Sequence, residues 1–356
     1  MKKKLAVILT IILITPSCHV FLGPQPDSSP KGIFDRIWTD FNETYALFDI
    51  RGVDWDDIYA IYSPQISQDM NDYELFRICA NMLNAIQDPH VGLLTPFGHS
   101  YLLNYQGFDY EELINENREP FDIGVVCTYL SDEYGIAVDG SFLYGKFGAK
   151  PNVGYLYIGN FFEYKLGIDI IPDWVKEIDG ILKTLMDNTD ILVLDLRGSW
   201  GGLGSNMDYV ASRFASTQED YIQFCTKNGP GRNDFSTPIT WSIKPAGLGY
   251  TRPIILLTNR ETISASEWFI MALKTQSHVT HVGAATCGAF SARVIRPLIN
   301  GWEYSVSVMK VTDIAGKCYE GIGISPNEEH IVENDWDAVR QNKDAQLEYA
   351  LSLFWR

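Results

Sequence analysis

Apolar residues recur every fourth position at Ile33, Ile37, Phe41 and Tyr45, the period of a helix with one buried face. Asp54 to Ile58 opens on acids, as a second helix start does. Tyr73 to Leu83 is amphipathic and follows Asn71-Asp72, a good cap. Together they predict a small helical domain over 32–92, closing at Gln87-Asp-Pro-His90, where Pro89 disfavours further helix. The pattern then changes. Val91–Thr95, Ile123–Tyr129, Tyr134–Val138 and Val153–Ile158 are rich in β-branched and aromatic residues between turn signals, which predicts strands. From Trp174 onward the two kinds alternate. The pattern gives a helix at Trp174–Met186, a buried strand at Ile191–Leu196 and a helix near Ser205–Ala215. A strand at Pro253–Thr258, a helix from Ser264 and a short strand at His281–Gly283 follow. Such alternation predicts an α/β layer with parallel pairing. The division expected is 32–92 helical, 93–150 a strand-rich connecting region and 151–356 an α/β core.

The first residues stand outside this pattern. Met1-Lys-Lys-Lys4 is basic, and Leu5 to Ile14 is an apolar run too short to span a bilayer. Thr15-Pro-Ser-Cys18 resembles a bacterial lipoprotein signal, in which the cysteine becomes the lipidated N-terminus; Thr15 departs from the usual leucine-like residue. A signal over 1–17, lipidation at Cys18 and a Pro/Gly/Ser-rich tether over 18–31 are expected. The chain would then be exported and lipid-anchored in the cell envelope. Its formal net charge of −17, with no basic block, argues against nucleic acid and against a polybasic membrane contact. Cys79, Cys127, Cys225, Cys287 and Cys318 form no CxxC pair and read mostly as small buried hydrophobes. The histidines form no HExxH or Cys/His cluster, so neither a metal nor another cofactor is implied.

Two stretches carry candidate chemistry. In 261-ETISASEWFIMALK-274, a buried strand runs through a turn into a helix headed by Ser264. Ser264-Ala-Ser-Glu267 fits a capping box. It also places a hydroxyl at a helix N-terminus, where N–H groups and the dipole favour negative charge. In 193-VLDLRGSWGGLGSN-206, a buried strand enters a glycine-rich turn that could form an oxyanion hole. It lacks the Lys-Ser/Thr of a P-loop. No G-x-S-x-G surrounds any serine, which disfavours an α/β-hydrolase esterase.

These stretches resemble, in order, the motifs of the C-terminal-processing/tricorn-type serine peptidases. Asp195-Leu-Arg197-Gly-Ser-Trp-Gly201-Gly202 is similar to D-x-R-x-N-x-G-G, with Ser199 where asparagine is usual. Ser264-Ala-Ser-Glu267 is similar to the nucleophile motif, Gly283–Gly288 to G-x-x-T-x-G, and Glu320–Asn327 to the closing G-x-x-P-D segment. The processing branch uses a lysine after G-x-x-T-x-G; here that position is Ala289, which cannot take a proton. The tricorn-like branch uses a histidine at the end of the helical domain and a glutamate before the closing segment, positions held here by His90 and Glu320. Pro89 stands where tricorn has a serine.

The resemblance implies a ClpP/crotonase-like spiral core behind the helical domain. It implies Ser264 as nucleophile, His90 as general base and Glu320 as an orienting or polarising group. It further implies an oxyanion hole from the N–H of Ala265 and one from Gly201 or Gly202. Residues 93–150 are too few for the full PDZ domain of the processing proteases. The expected function is a serine peptidase acting on peptide or protein substrates. The alternative is a non-catalytic binding lipoprotein on the same fold, which need not keep Ser264, His90 and Glu320 together.

Overall fold

The computed structural model describes residues 27–96, 100–102, 119–137, 140–162 and 173–355. The expected signal, Cys18 and most of the tether lie outside the described residues. No described helix is long and apolar enough to cross a membrane.

The helical domain forms as its pattern predicts. Helices α1 (Pro30–Thr44), α2 (Phe48–Arg51), α3 (Trp55–Tyr62) and α4 (Asp72–Asn84) bury Ile33, Ile37, Phe41, Trp55, Phe76 and Leu83 in one core. Asn71 and Glu74 close a reciprocal capping box at the head of α4. This domain packs on a four-stranded antiparallel sheet, ordered β11 (Arg293–Pro297), β12 (Glu303–Ser307), β1 (Gly92–Leu94) and β2 (Ser100–Leu102). Phe41 meets Tyr304 with ring centroids 5.5 Å apart, and the Tyr304 hydroxyl donates to Asp40 at 2.6 Å.

The core sheet has six strands. Its order is β10 (Val279–Gly283), β9 (Ile254–Thr258), β6 (Ile191–Asp195), β5 (Lys150–Ile158), β4 (Phe142–Phe147) and β3 (Gly135–Ala137). The pairing from β10 to β5 is parallel, and β4 and β3 continue it antiparallel. Strands from within 93–150 therefore belong to both sheets. Helices α6 (Asp173–Asn188), α7 (Gly204–Ser212) and α8 (Ala265–Lys274) supply the crossovers. A third sheet, β13 (Met309–Asp313), β7 (Glu219–Thr226) and β8 (Ile239–Ile243), stands beside α8, and helices α9 (Trp336–Arg340) and α10 (Ala345–Ser352) close the chain.

One expected strand is a helix. Residues Ile123–Cys127 form helix α5, capped by Asp122, whose carboxylate accepts the Gly124 N–H at 2.7 Å. The cap satisfies a helix start, and Val125 and Val126 still bury their side chains from it, so packing overrides the β-propensity of the run.

β6 leads into a buried charge network. Arg197, fully buried, takes both Asp195 and Asp344, with Nη2 to Asp195 at 2.6 Å and Nη1 to Asp344 at 2.7 Å. Gln346 accepts from the same guanidinium at 3.1 Å, which pins the glycine turn to α10. Breaking such a network leaves two carboxylates without a cation. Arg197→Met is expected to lower unfolding stability by about 3–5 kcal/mol, read from the denaturant midpoint.

Candidate active site

Parallel neighbours in a sheet deliver their following loops side by side. β6, β9 and β10 are such neighbours, and each carries one part of the site. After β6 comes the glycine turn, after β9 the Ser264 turn, and after β10 the segment 284–291. Cross-bonds hold the three in register. The Ile263 N–H donates to the Ser199 carbonyl at 3.0 Å, and the Cys287 N–H to the Thr262 carbonyl at 3.0 Å. The Thr262 hydroxyl donates to the Leu196 carbonyl at 2.8 Å.

Ser264 is the N-cap of α8, with φ 66° and ψ −128°. The ordinary caps of this chain are extended: Ser29 has φ −63°, Asp54 −83°, Asn71 −81° and Asp335 −134°. Capping therefore does not require positive φ, and a non-glycine residue held there stores strain of order 1–3 kcal/mol. The strand–turn–helix geometry turns the half-buried serine out at the head of a buried helix.

The glycine turn abuts this elbow. Gly201 has φ 74°, and a Cβ there would lie 2.7 Å from the Ser264 Cβ and 2.8 Å from the Ala265 nitrogen. Gly202 has φ 144°, and a Cβ there would strike the Phe161 backbone at 2.3 Å. Only glycine allows both approaches. The two differ in one respect. The Gly201 N–H donates to Ser266 Oγ at 3.1 Å, and Ser266 Oγ is also 2.7 Å from Ser199 Oγ. The N–H groups of Gly202 and Ala265 make no such bond among the described residues.

Glu267 continues α8 beneath the serine. Its carboxylate accepts the Ser264 N–H at 3.0 Å and the Ala289 N–H at 2.9 Å on one oxygen. The other oxygen accepts the Thr286 hydroxyl at 2.6 Å and the Gly288 N–H at 2.7 Å. Ala289, buried, is thus tied to the same carboxylate oxygen as Ser264. The next two N–H groups, of Phe290 and Ser291, donate to Glu320 Oε1 at 3.0 and 2.6 Å. The Ser291 backbone lies against the His90 ring. The segment Ala289–Ser291 therefore runs from the serine to the histidine.

His90 arrives from the helical domain on the loop between α4 and β1. Asp88 builds that loop: Oδ1 accepts the His90 N–H at 2.8 Å, and Oδ2 accepts the Tyr45 hydroxyl at 2.9 Å and the Ser307 hydroxyl at 2.7 Å. The Ser305 hydroxyl donates to the His90 carbonyl at 2.7 Å. The backbone of His90 is thus held on both sides, while Nδ1 of its ring has no hydrogen-bond partner among the described residues. Burial lowers the imidazole's affinity for protons, against the nearby Asp88 charge, with Arg293 and Arg51 adding to the lowering. It stands neutral at neutral pH, the state a general base requires.

Glu320 is buried, and desolvation raises its pKa, with the Asp88 charge adding to the rise and Arg51 opposing it. Arg51 binds it at 3.2 Å and also donates to the Gly288 carbonyl at 3.2 Å and the Gln87 carbonyl at 2.8 Å. The guanidinium joins the histidine loop of one domain to the glutamate of the other. The sequence reading passes over Asp88, Arg51 and the wider role of Glu267. Asp-Pro ahead of a histidine is a turn signal that could have found the first; nothing local marks the second. Among the described residues no group of three ligating side chains could hold a metal. His278 and His281 bond to the scaffold, at the Phe214 carbonyl and the Thr258 hydroxyl.

Residues 152–330, half of the chain, match the pattern of peptidase family S41, and residues 26–84 match the tricorn protease C1 domain. The chain belongs to peptidase family S41. This is a family of serine-type hydrolases. A candidate peptidase from Parabacteroides merdae has 29% identity and a TM-score of 0.76, over 92% of this chain and 97% of that one. The carboxy-terminal processing protease CtpB of Bacillus subtilis is 27% identical over 175 residues, 49% of this chain. The carboxy-terminal-processing protease of Bartonella bacilliformis is 29% identical over 182 residues, 51% of this chain. The matched segments span only 33% and 39% of those two relatives' own lengths.

Proposed function

We propose that this S41 member is an exported, lipid-anchored serine peptidase that cleaves peptide bonds of polypeptides through an acyl-enzyme on Ser264. The observation that carries the reading is the strained Ser264 elbow set against a glycine turn, with the Ala265 and Gly202 N–H groups left uncommitted. The buried, neutral imidazole of His90 takes the serine proton as Oγ attacks the substrate carbonyl. The developing oxyanion meets the Ala265 and Gly202 N–H groups at the positive end of α8. His90 then gives its proton to the leaving amine, and water releases the acyl group by the same path in reverse. Glu320 acts through the Ser291 peptide, whose N–H it accepts, and so orients the backbone that lies against the imidazole. Export and anchoring rest on the N-terminal signal pattern and Cys18.

Ser266 narrows the oxyanion hole to Gly202, because it consumes the Gly201 N–H. Ser266→Ala is expected to lower kcat about 10-fold with KM changed less than about 2-fold, read by steady-state hydrolysis of a peptide, because a loosened donor matters only in the transition state.

The test of the reading is covalent labelling. A fluorophosphonate probe should attach to Ser264, as mapped by peptide mass spectrometry, and stop hydrolysis of an unfolded protein substrate. A folded protein that takes no label and cleaves nothing would leave the ligand-binding alternative.

A further inference from the structure

Glu267 is fully buried and is used by no step of the mechanism above. A carboxylate offers about four acceptor sites over its two oxygens. All four are filled, by the Ser264, Ala289 and Gly288 N–H groups and the Thr286 hydroxyl. Such saturation belongs to the ionised form. A proton on either oxygen displaces one of the four donors, and an N–H left without its acceptor in a dry interior is costly. The charged groups around it do not relieve this. Among the described residues no arginine, lysine or histidine pairs with Glu267. The Cys287 thiol and the Glu320 carboxyl group lie within electrostatic reach, and Arg51 reaches those two. Among the described residues the compensation besides the donors comes from the first turn of α8, whose dipole favours a negative residue there.

The donors are not scattered. One oxygen joins the strained peptide of Ser264 to Ala289; the other joins Thr286 and Gly288 of the same segment. Thr286 passes the link on, its hydroxyl accepting the Ile324 N–H at 2.8 Å from the closing segment. Glu267 thus fastens the peptide of Ser264 itself to the segment 286–289, while the neighbouring Trp268 indole ties α8 to the Phe290 carbonyl at 2.9 Å.

We propose that Glu267 is the positioning residue that holds Ser264 in its strained conformation, and that proton uptake by its carboxyl group releases the elbow and switches the enzyme off. Burial raises the Glu267 carboxyl to about 7, with the four donors opposing. The switch therefore works near neutrality. Ionised Glu267 gives the active form above that pH, and activity falls as the pH drops through it.

The inference rests on the peptidase reading, and the experiment separates the two. Hydrolysis of a peptide by the full chain is first measured at pH 8; none at all in folded protein fails the peptidase reading. Where hydrolysis is present, kcat and KM are followed from pH 5 to pH 9 for wild type, Glu267→Gln and Thr286→Val. Wild type should show an acidic fall in kcat centred near pH 7. Glu267→Gln presents an NH2 to N–H donors and cannot titrate. Its kcat should be roughly 10- to 100-fold lower, with KM within about 2-fold, and the fall near pH 7 should be gone. Thr286→Val removes one donor to the ionised form, so the midpoint should move to higher pH by about 0.5–1 unit. The valine variant carries the test if the glutamine variant does not fold. A midpoint unmoved in Thr286→Val, or an acid limb retained in Glu267→Gln, assigns the titration to His90 or Glu320 and overturns the inference.

Discussion

Ser264→Ala is expected to remove hydrolysis, with kcat lowered about a millionfold, the scale set by deleting a serine nucleophile. The fold should survive. The bond from Glu267 reaches the backbone nitrogen of residue 264, not its hydroxyl, and alanine keeps that nitrogen. Alanine also meets the same steric cost at φ 66° as serine does. Stability should therefore change by less than about 1 kcal/mol. Ser264→Gly makes the complementary point. Glycine takes this conformation freely, so the glycine variant should be as inactive but more stable by about 1 kcal/mol, read by thermal unfolding. Peptidase activity persisting in the alanine variant would end the assignment. A glycine variant less stable than wild type would instead show that the elbow carries no strain.

The serine was legible because a buried strand, a turn and a buried helix follow one another in the sequence around it. What the sequence did not show is the backbone sign at residue 264. A serine three residues ahead of a glutamate reads equally as a cap. The glutamate does return to the Ser264 N–H as a cap partner does, but the φ of 66° separates this serine from the other caps of the chain. The glycine turn was legible as a place of close backbone approach, since two adjacent glycines follow a buried strand, and the family resemblance made it a candidate oxyanion hole. Which glycine keeps a free N–H was not, because the answer lies in Ser266, 65 residues away. Arg51 was invisible for the same reason. It sits 269 residues from Glu320 and 237 from Gly288 in the chain.

The fold was most legible where period and burial agree. α1, α4, β6, β9 and α8 each bury a continuous face or run, and all were readable. The hairpin of β11 and β12 has weaker patterning, since β11 is largely exposed. Its Asn300-Gly301 turn, with Gly301 at φ 82°, was the signal available. Helix α5 failed because the apolar run contains three β-branched residues, while the deciding group, the Asp122 cap, lies outside the run.

His90→Ala should cost nearly as much as the serine variant, about a millionfold in kcat, with protein that still folds. The loop around it depends on main-chain groups: the residue-90 N–H to Asp88 and the residue-90 carbonyl from Ser305. Both survive truncation, so the penalty in stability is limited to the cavity left by the ring, about 1–3 kcal/mol. The loss in rate comes from the missing base. Two further results would show that the ring acts on Ser264 and not merely near it. Added imidazole should restore part of the activity of His90→Ala and none to Ser264→Ala. The double variant should be no worse than Ser264→Ala alone, because members of one catalytic unit do not add. Losses that multiply in the double variant would mean two independent effects. His90 would then be a packing residue at the domain seam, and the base would have to be sought on another element facing the Ser264 hydroxyl.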